Sequence, residues 1–352
     1  MKKHSKVKRP STPGETIGID LGDQLSHYCI LHKAGEVVEE GTFRNQPASI
    51  EKHFGGRPRA RVALEVGSQS AWISEELKKL GHEVIVANAR QVKWITASDN
   101  KGDRSDAEKL ARLGRADPAL LAPIEHRNPQ QQAELAVIRA RDALVRARTL
   151  LVNAARGIAK GFGHRLPKSI SATFGTRAGA QLPEPLRPAL EKLLEQIGEL
   201  SQHITGYEEK IAGIAALHPE VQRLTSIPGV GTLTAVTYVL TLGRAQRFAH
   251  SRDAGSYIGL RPRRQQSGAR DPQLGISKGG DQYLRKLLVQ CAHHILGRFG
   301  KDSALRKWGL AKAEGSKNAT KRAIVAVARK LAVLLHRLWV SGEVFQTFPK
   351  MG

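Results

Sequence analysis

The chain has 352 residues, and its 56 lysines and arginines outnumber its 32 aspartates and glutamates, which gives a formal net charge of +24. With 40% hydrophobic residues the composition excludes a disordered chain, and no apolar run reaches the ~18 residues that span a bilayer. The excess charge therefore predicts a polyanionic partner or an acidic membrane surface, and nucleic acid is the first candidate.

The chain offers few signals of secretion or of covalent cross-links. Cys29 and Cys291 are the only cysteines, too few for a disulfide framework or, by themselves, a zinc site, which is typical of a reducing cytoplasm. Residues 1–14 form a basic tail with no apolar stretch behind it, so we do not expect a secretory signal.

The first third of the chain predicts a mixed α/β domain over residues 15–125. Apolar, β-branched segments separated by glycine-containing turn signals predict an antiparallel meander of three strands at its start. Two more strands and three helices are expected, because short apolar runs alternate with segments of helical periodicity. The order β-β-β-α-β-α-β-α is typical of a ribonuclease-H-like sheet. The expected strands are 16–20, 28–31, 37–43, 61–65 and 83–87, and the expected helices are 50–54, 70–80 and 105–114.

The middle of the chain, residues 126–218, predicts two long helices. Apolar residues alternate spacings of three and four, which is a heptad pattern. The linker between them, 161–185, is rich in Gly, Pro, Ser and Thr and predicts a long tip loop joining antiparallel helices. A helical hairpin within one chain and a coiled-coil arm for oligomerisation both fit. The apolar stripes are Val137, Ala140, Leu144, Ala147, Leu151, Ala154 and Ile158, and Leu186, Leu190, Leu193, Ile197, Leu200, Ile204, Tyr207, Ile211 and Ile214.

The last part of the chain is expected to be mainly α-helical, with one domain at 219–300 and basic helices at 301–352. The segment 227–231, Ile-Pro-Gly-Val-Gly, precedes an apolar helix at 233–242 and predicts a helix-hairpin-helix-like turn. Glycines let backbone N–H groups approach phosphate oxygens, and the following helix adds its positive end. An ordinary turn between helices is the alternative. The residues expected to bind phosphate here are Pro228, Gly229 and Gly231.

Four acidic residues occupy element ends in the predicted α/β domain. Asp20 ends the first strand and Glu65 the fourth, while Asp103 and Asp106 share one face at a helix start, being three residues apart. Carboxylates without His or Cys suit hard cations, so the set predicts Mg²⁺, with two ions expected and Mn²⁺ as an alternative. Each residue singly has a simpler explanation: strands often end in Asp, and the helix pair would serve as capping anions.

A basic loop follows the apolar helix. Between 259 and 286 there are seven lysines or arginines and two aspartates, and Ser267 lies there beside Gly268. A hydroxyl that attacks a phosphodiester needs cations around the developing charge. The composition alone favours the simpler alternative, in which the loop clamps phosphate and Ser267 only donates a hydrogen bond. The basic residues expected to bind nucleic acid are Arg261, Arg263, Arg264, Arg270, Lys278 and Arg285.

These motifs, in this order, resemble those of insertion-sequence transposases that combine a RuvC-like amino-terminal domain with a carboxy-terminal transposase domain. The resemblance covers roughly residues 15–300. Val66 and Gly102 depart from the usual family residues, and neither departure removes a functional side chain. The matching motifs are Gly18-Ile-Asp20, Ala63-Leu-Glu65-Val-Gly67, Lys101-Gly-Asp103-Arg-Ser-Asp106-Ala107, Ser226-Ile-Pro-Gly-Val-Gly231, Phe248-Ala-His250, Tyr257-Ile-Gly-Leu260-Arg-Pro262, Gln266-Ser-Gly268 and Ser277-Lys278-Gly279.

The resemblance implies a specific activity. The four carboxylates would form a DEDD metal site, and Ser267 would be the nucleophile that forms a covalent phosphoserine link to DNA. The family members are guided by a bridge RNA that pairs with donor and target double-stranded DNA. They act as homo-oligomers, from dimer to tetramer, whose composite site joins the RuvC-like domain of one subunit to the serine domain of another. A prokaryotic cytoplasmic protein at the nucleoid, with no membrane association, would follow.

Two rival functions stay open at the level of sequence. A structure-specific nuclease of the junction-resolvase type would use the four carboxylates alone and form no covalent intermediate. A non-enzymatic architectural protein would bind nucleic acid through its charge and yield no Mg²⁺-dependent product. An actin-like ATPase, which the segment Gly18-Ile-Asp20 also resembles, lacks its second phosphate loop and adenosine motif in this sequence.

Overall fold

A computed structural model describes residues 14–88, 102–268, 270–272 and 274–348 of the chain. It divides into two compact units, Met1–His126 and Arg127–Gly352. Among the described residues, no helix combines the length and the apolar character that crossing a bilayer requires.

The first unit is built on a five-stranded mixed sheet with the order β3-β2-β1-β4-β5. The first three strands form the predicted antiparallel meander, and β4 and β5 continue the sheet parallel to β1. This topology is consistent with the expected RuvC-like, ribonuclease-H-like fold. The strands are β1 Glu15–Asp20, β2 Leu25–His32, β3 Val37–Arg44, β4 Arg61–Glu65 and β5 Glu83–Ala87.

The described helices of the first unit are α1 Pro47–Phe54, α2 Ser70–Lys79 and α3 Asp103–Ala116, with a short 3₁₀ helix at Pro118–Leu121. Helix α3 begins two residues before the predicted start, so Asp103 is its first residue. Side chains alternate across β1, as expected for a strand covered on both sides. Ile17 and Ile19 pack in the cluster that includes α1 and α2, whereas Ala107 and Ala111 of α3 pack against the opposite side of the sheet.

The contact between α3 and β1 depends on the absence of a side chain at Gly18. A Cβ atom built on Gly18 would lie 2.0 Å from the carbonyl oxygen of Ala107 and 2.4 Å from the amide nitrogen of Ala111. Both obstacles are backbone atoms, so no side-chain rotation would relieve the overlap. The helix can therefore lie on the strand only where the strand carries glycine.

We expect the substitution Gly18→Ala to destabilise the first unit by about 3 kcal/mol, because a methyl group would push α3 off the sheet. The measurement is the free energy of unfolding in urea. Gly56→Ala is the matched control, since a Cβ there meets no atom within 4 Å. Equal stabilities of the two variants would contradict the close packing of α3 on β1.

The second unit is helical, as predicted. Its helices are α4 Pro129–Gly161, α5 Phe174–Gly179, α6 Arg187–Ala216, α7 Pro219–Leu224, α8 Thr232–Leu242, α9 Ser251–Tyr257, α10 Gln282–Leu296, α11 Ala304–Ala313 and α12 Lys317–Ser341, with 3₁₀ turns at Glu184–Leu186 and Ala245–Arg247.

Helices α4 and α6 pack on each other as a hairpin within the chain. The predicted stripe of α6 is largely correct, with Leu190, Ile197, Ile204 and Ile211 buried at intervals of seven. The stripe predicted for the end of α4 is displaced by one residue. The side chains buried there are Val152, Ala155 and Ala159, not Leu151, Ala154 and Ile158.

The tip of this hairpin is more ordered than the linker composition predicts. Helix α5 lies within the expected loop, and its Phe174 is fully buried in a cluster formed with the ends of α4 and α6. A separate cluster encloses the base of the hairpin. Between Ile138 and Val152, α4 buries no side chain. The hairpin thus has a core at each end, and between them the buried apolar side chain is Ile204 of α6.

The cluster at the base of the hairpin is the largest core of the unit. It contains residues from each of the three predicted segments 126–218, 219–300 and 301–352. Helix α8 lies inside it and is covered on every side, with all residues from Thr234 to Leu242 buried. Helix α12 covers it, and the Tyr238 hydroxyl donates to the Ala332 carbonyl at 2.6 Å. Cys291 is 6% exposed here, and burial raises the pKa of its thiol.

Candidate functional site

Strand ends and one helix start bring the four predicted carboxylates into one region of the first unit. In the parallel pair β1–β4, Ile19 is opposite Leu64, so Asp20 and Glu65 emerge side by side at the same edge of the sheet. Helix α3, seated on Gly18, contributes Asp103 and Asp106 from its first turn. Negative charge in that turn is also stabilised by the positive end of the helix dipole.

The electrostatics of Asp20 show how close these groups are. Burial and the neighbouring Asp103, Asp106 and Glu65 carboxylates raise the pKa of Asp20 to about 6, and His27 offsets part of this. Burial, followed by the charge of Asp106, likewise raises the pKa of Glu65. For Asp20 and Glu65, burial and nearby negative charge therefore both disfavour the ionised carboxylate.

Two basic residues lie beside the cluster, and neither was predicted from the sequence. The His27 Nε2 atom lies 3.6 Å from Asp103 Oδ2, and the Lys109 ammonium lies 3.0 Å from Asp106 Oδ1. His27 is directly opposite Asp20 in the β1–β2 pair, so the two side chains share one face of the sheet. His27 could have been identified only from the register of the β1–β2 pair, and a single histidine in a sequence does not reveal which residue it faces.

The donor set of the cluster suits a hard divalent cation. Its four carboxylates offer oxygen ligands, which Mg²⁺ and Mn²⁺ prefer, and a bound cation would relieve the repulsion that raises the pKa of Asp20. Within the described ranges, no three His, Cys, Asp or Glu side chains stand close enough together to hold an ion. The residues suit a divalent metal in chemistry and charge, but their side chains are not arranged as a ligand set in this structure, so the assignment of ligands stays a prediction.

We expect Asp20→Asn to stabilise the metal-free first unit at pH 7 by on the order of 1 kcal/mol, after allowance for partial exposure. Asp20 binds its proton more tightly when folded, so its contribution to stability falls as pH rises from about 4 to about 6. The gain from the substitution should therefore be absent below pH 4 and level above pH 6.

Thermal unfolding in a chelator across this pH range measures the effect. Asp23→Asn, which neutralises an exposed acid at the β1–β2 turn, is the control. A gain for Asp20→Asn that does not change with pH would contradict the electrostatic origin.

The predicted nucleophile, Ser267, lies in the second unit, at the exposed end of an irregular two-stranded ribbon. We call residues 259–280 the serine hairpin. Its strands are joined by backbone bonds from Ser277 N to Arg261 O at 2.8 Å and from Arg263 N to Gly275 O at 3.0 Å. At the tip, Ser267 and Arg270 exchange two backbone hydrogen bonds of 3.0 Å. Ser267 thus stands where a large substrate can reach its hydroxyl.

The six predicted basic contacts of this region differ in their surroundings. The side chains of Arg261, Arg263, Arg270 and Lys278 are exposed on the serine hairpin. Arg264 is also exposed but pairs with Asp271 at 3.1 Å. Arg285, in the first turn of α10, is partly buried and donates to backbone carbonyl groups of its own chain. The hairpin therefore presents a cationic surface around Ser267, and Arg285 lies where the hairpin joins the helices.

A glycine-rich segment connects α7 to α8. Gly229 has φ +91°, and a Cβ there would lie 2.9 Å from Ile295 Cγ1 of α10. Gly231 precedes α8 in an extended conformation and is exposed, while Pro228 is half-buried. The packing against α10 accounts for the glycine at 229, and phosphate binding by the turn stays a prediction.

Two family models match this chain, and together they span most of both units. A DEDD-type transposase model of IS110 elements matches residues 17–163, which include all four carboxylates. The model described as transposase IS116/IS110/IS902 family matches residues 221–307, which include the glycine-rich turn and the serine hairpin.

Full-length relatives agree with these matches. The chain is 32% identical over 337 residues to the transposase for insertion sequence element IS1328 of Yersinia enterocolitica, covering 94% of this chain and 98% of the relative. It is 28% identical to the transposase for insertion sequence element IS1111A of Coxiella burnetii, covering 97% and 94%. The protein is a transposase. It belongs to the IS110/IS116 family of insertion-sequence transposases.

A shorter match has a different name. Over 145 residues, 40% of this chain and 44% of the relative, the chain is 29% identical to the pilin gene-inverting protein of Moraxella bovis.

Proposed function

We propose that this transposase cuts and rejoins DNA through a covalent phosphoserine intermediate at Ser267, with help from a divalent metal held by Asp20, Glu65, Asp103 and Asp106. The observation that carries the serine step is the placement of Ser267. It lies exposed at the tip of a basic hairpin, within the part of the chain that matches the transposase family.

The serine step keeps the number of phosphate ester bonds unchanged. The Ser267 oxygen gives up its proton and bonds to phosphorus, while a deoxyribose oxygen leaves and takes a proton. A deoxyribose hydroxyl of the partner strand then reverses the step and releases the serine. Because one ester replaces another, strand exchange needs no ATP. The exposed Arg261, Arg263 and Arg270 guanidinium groups are suited to neutralise the non-bridging oxygens.

The carboxylate cluster has a separate role in this proposal. The bound metal, Mg²⁺ or Mn²⁺, would supply charge stabilisation at the reacting phosphate. Asp20 and Glu65 are fixed by the sheet, and Asp103 and Asp106 by the seating of α3 on Gly18. The resemblance to bridge-RNA-guided recombinases supports a composite site, in which this cluster and the serine hairpin come from different subunits of a homo-oligomer.

Sequence choice is proposed to lie in a bridge RNA that pairs with donor and target DNA. The net charge of +24 suits a protein that holds RNA and duplex DNA together. The α4–α6 hairpin, which exposes much of its middle, is proposed to contribute to subunit assembly.

A nuclease without a covalent intermediate is the second candidate, because the four carboxylates would suffice for it. The partial likeness to a gene-inverting protein favours recombination, since inverting a gene requires that strands be rejoined as well as cut. An architectural protein is the third candidate and would explain the charge but not the ordered carboxylates. A denaturing gel that detects protein–DNA adducts separates the first candidate from the other two.

We expect Ser267→Ala to abolish covalent adducts with a plasmid that carries the ends of the element, since the attacking oxygen is gone. RNA binding should be unchanged. Ser277→Ala, which removes the other serine of the hairpin, is the matched control and should leave adduct yield intact. Adducts at normal yield from Ser267→Ala would overturn the serine step. Their absence in the unsubstituted protein, with Mg²⁺-dependent cutting retained, would favour the nuclease.

We expect RNA that co-purifies with the protein to be one structured species transcribed from non-coding DNA beside its gene. Sequencing of the bound RNA, after washing at increasing salt concentration, makes the measurement. Heterogeneous cellular RNA would show that the basic surface binds polyanions without a dedicated guide.

A further inference from the structure

The serine hairpin connects the end of α9 to the start of α10, and we call residues 257–260 and 278–281, where its two strands meet the helices, the root of the hairpin. Helix α9 ends in a Schellman motif, in which Gly259 N donates to Ser256 O and Leu260 N donates to Gly255 O, both at 3.0 Å. At the other end, Asp281 caps α10 by accepting from Leu284 N at 2.8 Å. The hairpin therefore leaves and re-enters the helical core through two defined caps.

The two strands touch at this root without side chains between them. A Cβ on Gly259 would lie 2.0 Å from Gly279 O, and one on Gly280 would lie 1.9 Å from Tyr257 O. Both glycines have positive φ, +79° and +70°. A further bond of 3.0 Å runs from Lys278 N to Gly259 O. Such contact fixes the strands closely, but backbone contact alone leaves carbonyl groups to be satisfied.

Arg285 satisfies one carbonyl on each side of the root. Its Nη1 atom donates to Ile258 O at 2.9 Å and to Gly279 O at 2.7 Å. Ile258 is the residue that caps the end of α9, where a cation is favoured by the helix dipole. Since Arg285 belongs to α10, one side chain ties the incoming strand, the outgoing strand and the next helix together.

We propose that Arg285 is a positioning residue, which fixes the direction of the serine hairpin and does not bind nucleic acid. The inference rests on the proposed role of Ser267, and it replaces the earlier expectation that Arg285 contacts phosphate. Both N–H groups of Nη1 are used by the two carbonyl groups at the root, so a phosphate contact through Nη1 would break one or both of these bonds. Exposed arginines of the hairpin, such as Arg263, do not hold the root together and are better placed to bind phosphate.

The two roles predict opposite results for Arg285→Ala. Loss of a phosphate contact would weaken binding to random-sequence duplex DNA and would reduce the slope of log affinity against log salt by about 0.9. Loss of positioning would leave affinity and slope unchanged. It would accelerate hydrogen exchange at the Ser277 and Lys278 amides, by roughly fivefold or more. It would also slow adduct formation, by up to about 100-fold.

Matched variants separate positioning from a general loss of structure. Arg263→Ala removes the same charge from an exposed site, and we expect it to reduce the salt slope without faster exchange at residues 277 and 278. Arg285→Lys keeps the charge on a shorter side chain without the planar guanidinium, so it should restore adduct formation only in part. If Arg285→Ala does not fold, exchange and adduct rate in Arg285→Lys decide the question.

The outcomes also distinguish this inference from the serine mechanism. A reduced salt slope with unchanged amide exchange in Arg285→Ala would overturn the positioning role and leave Ser267 untouched. Adducts formed normally by Ser267→Ala would overturn the serine step, while the exchange and salt measurements on Arg285 would still establish whether it holds the hairpin.

Discussion

The first unit depends on one close approach, between the backbone of α3 and the backbone of β1 at Gly18. The sheet can place Asp20 and Glu65 together by strand pairing alone. It cannot place Asp103 and Asp106, which arrive on a helix that is far away in sequence. The glycine removes the obstacle, so the helix start comes within electrostatic range of the strand ends. Burial raises the pKa of Asp20 most, and the carboxylates that the helix brings near raise it further.

Much of the first unit could be predicted from the sequence, because its strands follow simple rules. Apolar, β-branched segments bounded by Gly and Asp gave the correct strands and their order along the chain. The carboxylates were predictable from their position at element ends. The role of Gly18 in packing and the position of His27 were not, because both depend on contacts between segments that are distant in sequence.

The second unit shows where periodicity becomes ambiguous. At the end of α4, the sequence offers adjacent apolar pairs such as Leu151 and Val152, or Ala154 and Ala155. A regular heptad selects the first of each pair, while the folded helix buries the second. A straight α-helix drifts by about 20° per heptad, and alanine gains too little from burial to resist that drift. The stripe of α6 is built from Leu and Ile, and it was predicted more accurately.

The ribbon of the serine hairpin was hidden by composition, because charged residues and glycines predict a loop. Its strands are defined by backbone hydrogen bonds, which any residue except proline can donate. Glycines at 259 and 280 are visible in the sequence. The reason for them, the close contact of the two backbone segments at the base of the hairpin, is visible only in the structure. The contacts of Arg285 with the Ile258 and Gly279 carbonyl groups could not be predicted for the same reason, since main-chain partners leave no pattern in the sequence.

The α4–α6 hairpin has an apolar core at each end. Between these cores α4 buries no side chain, while α6 buries Ile204. The length of this middle stretch can therefore change without changing either core. Adding or removing matched heptads between Ile138 and Val152, and opposite them in α6, would change the reach of the hairpin while leaving the base and the tip as they are. Related elements could thus adjust the spacing that the hairpin bridges without redesigning the parts that fold at either end.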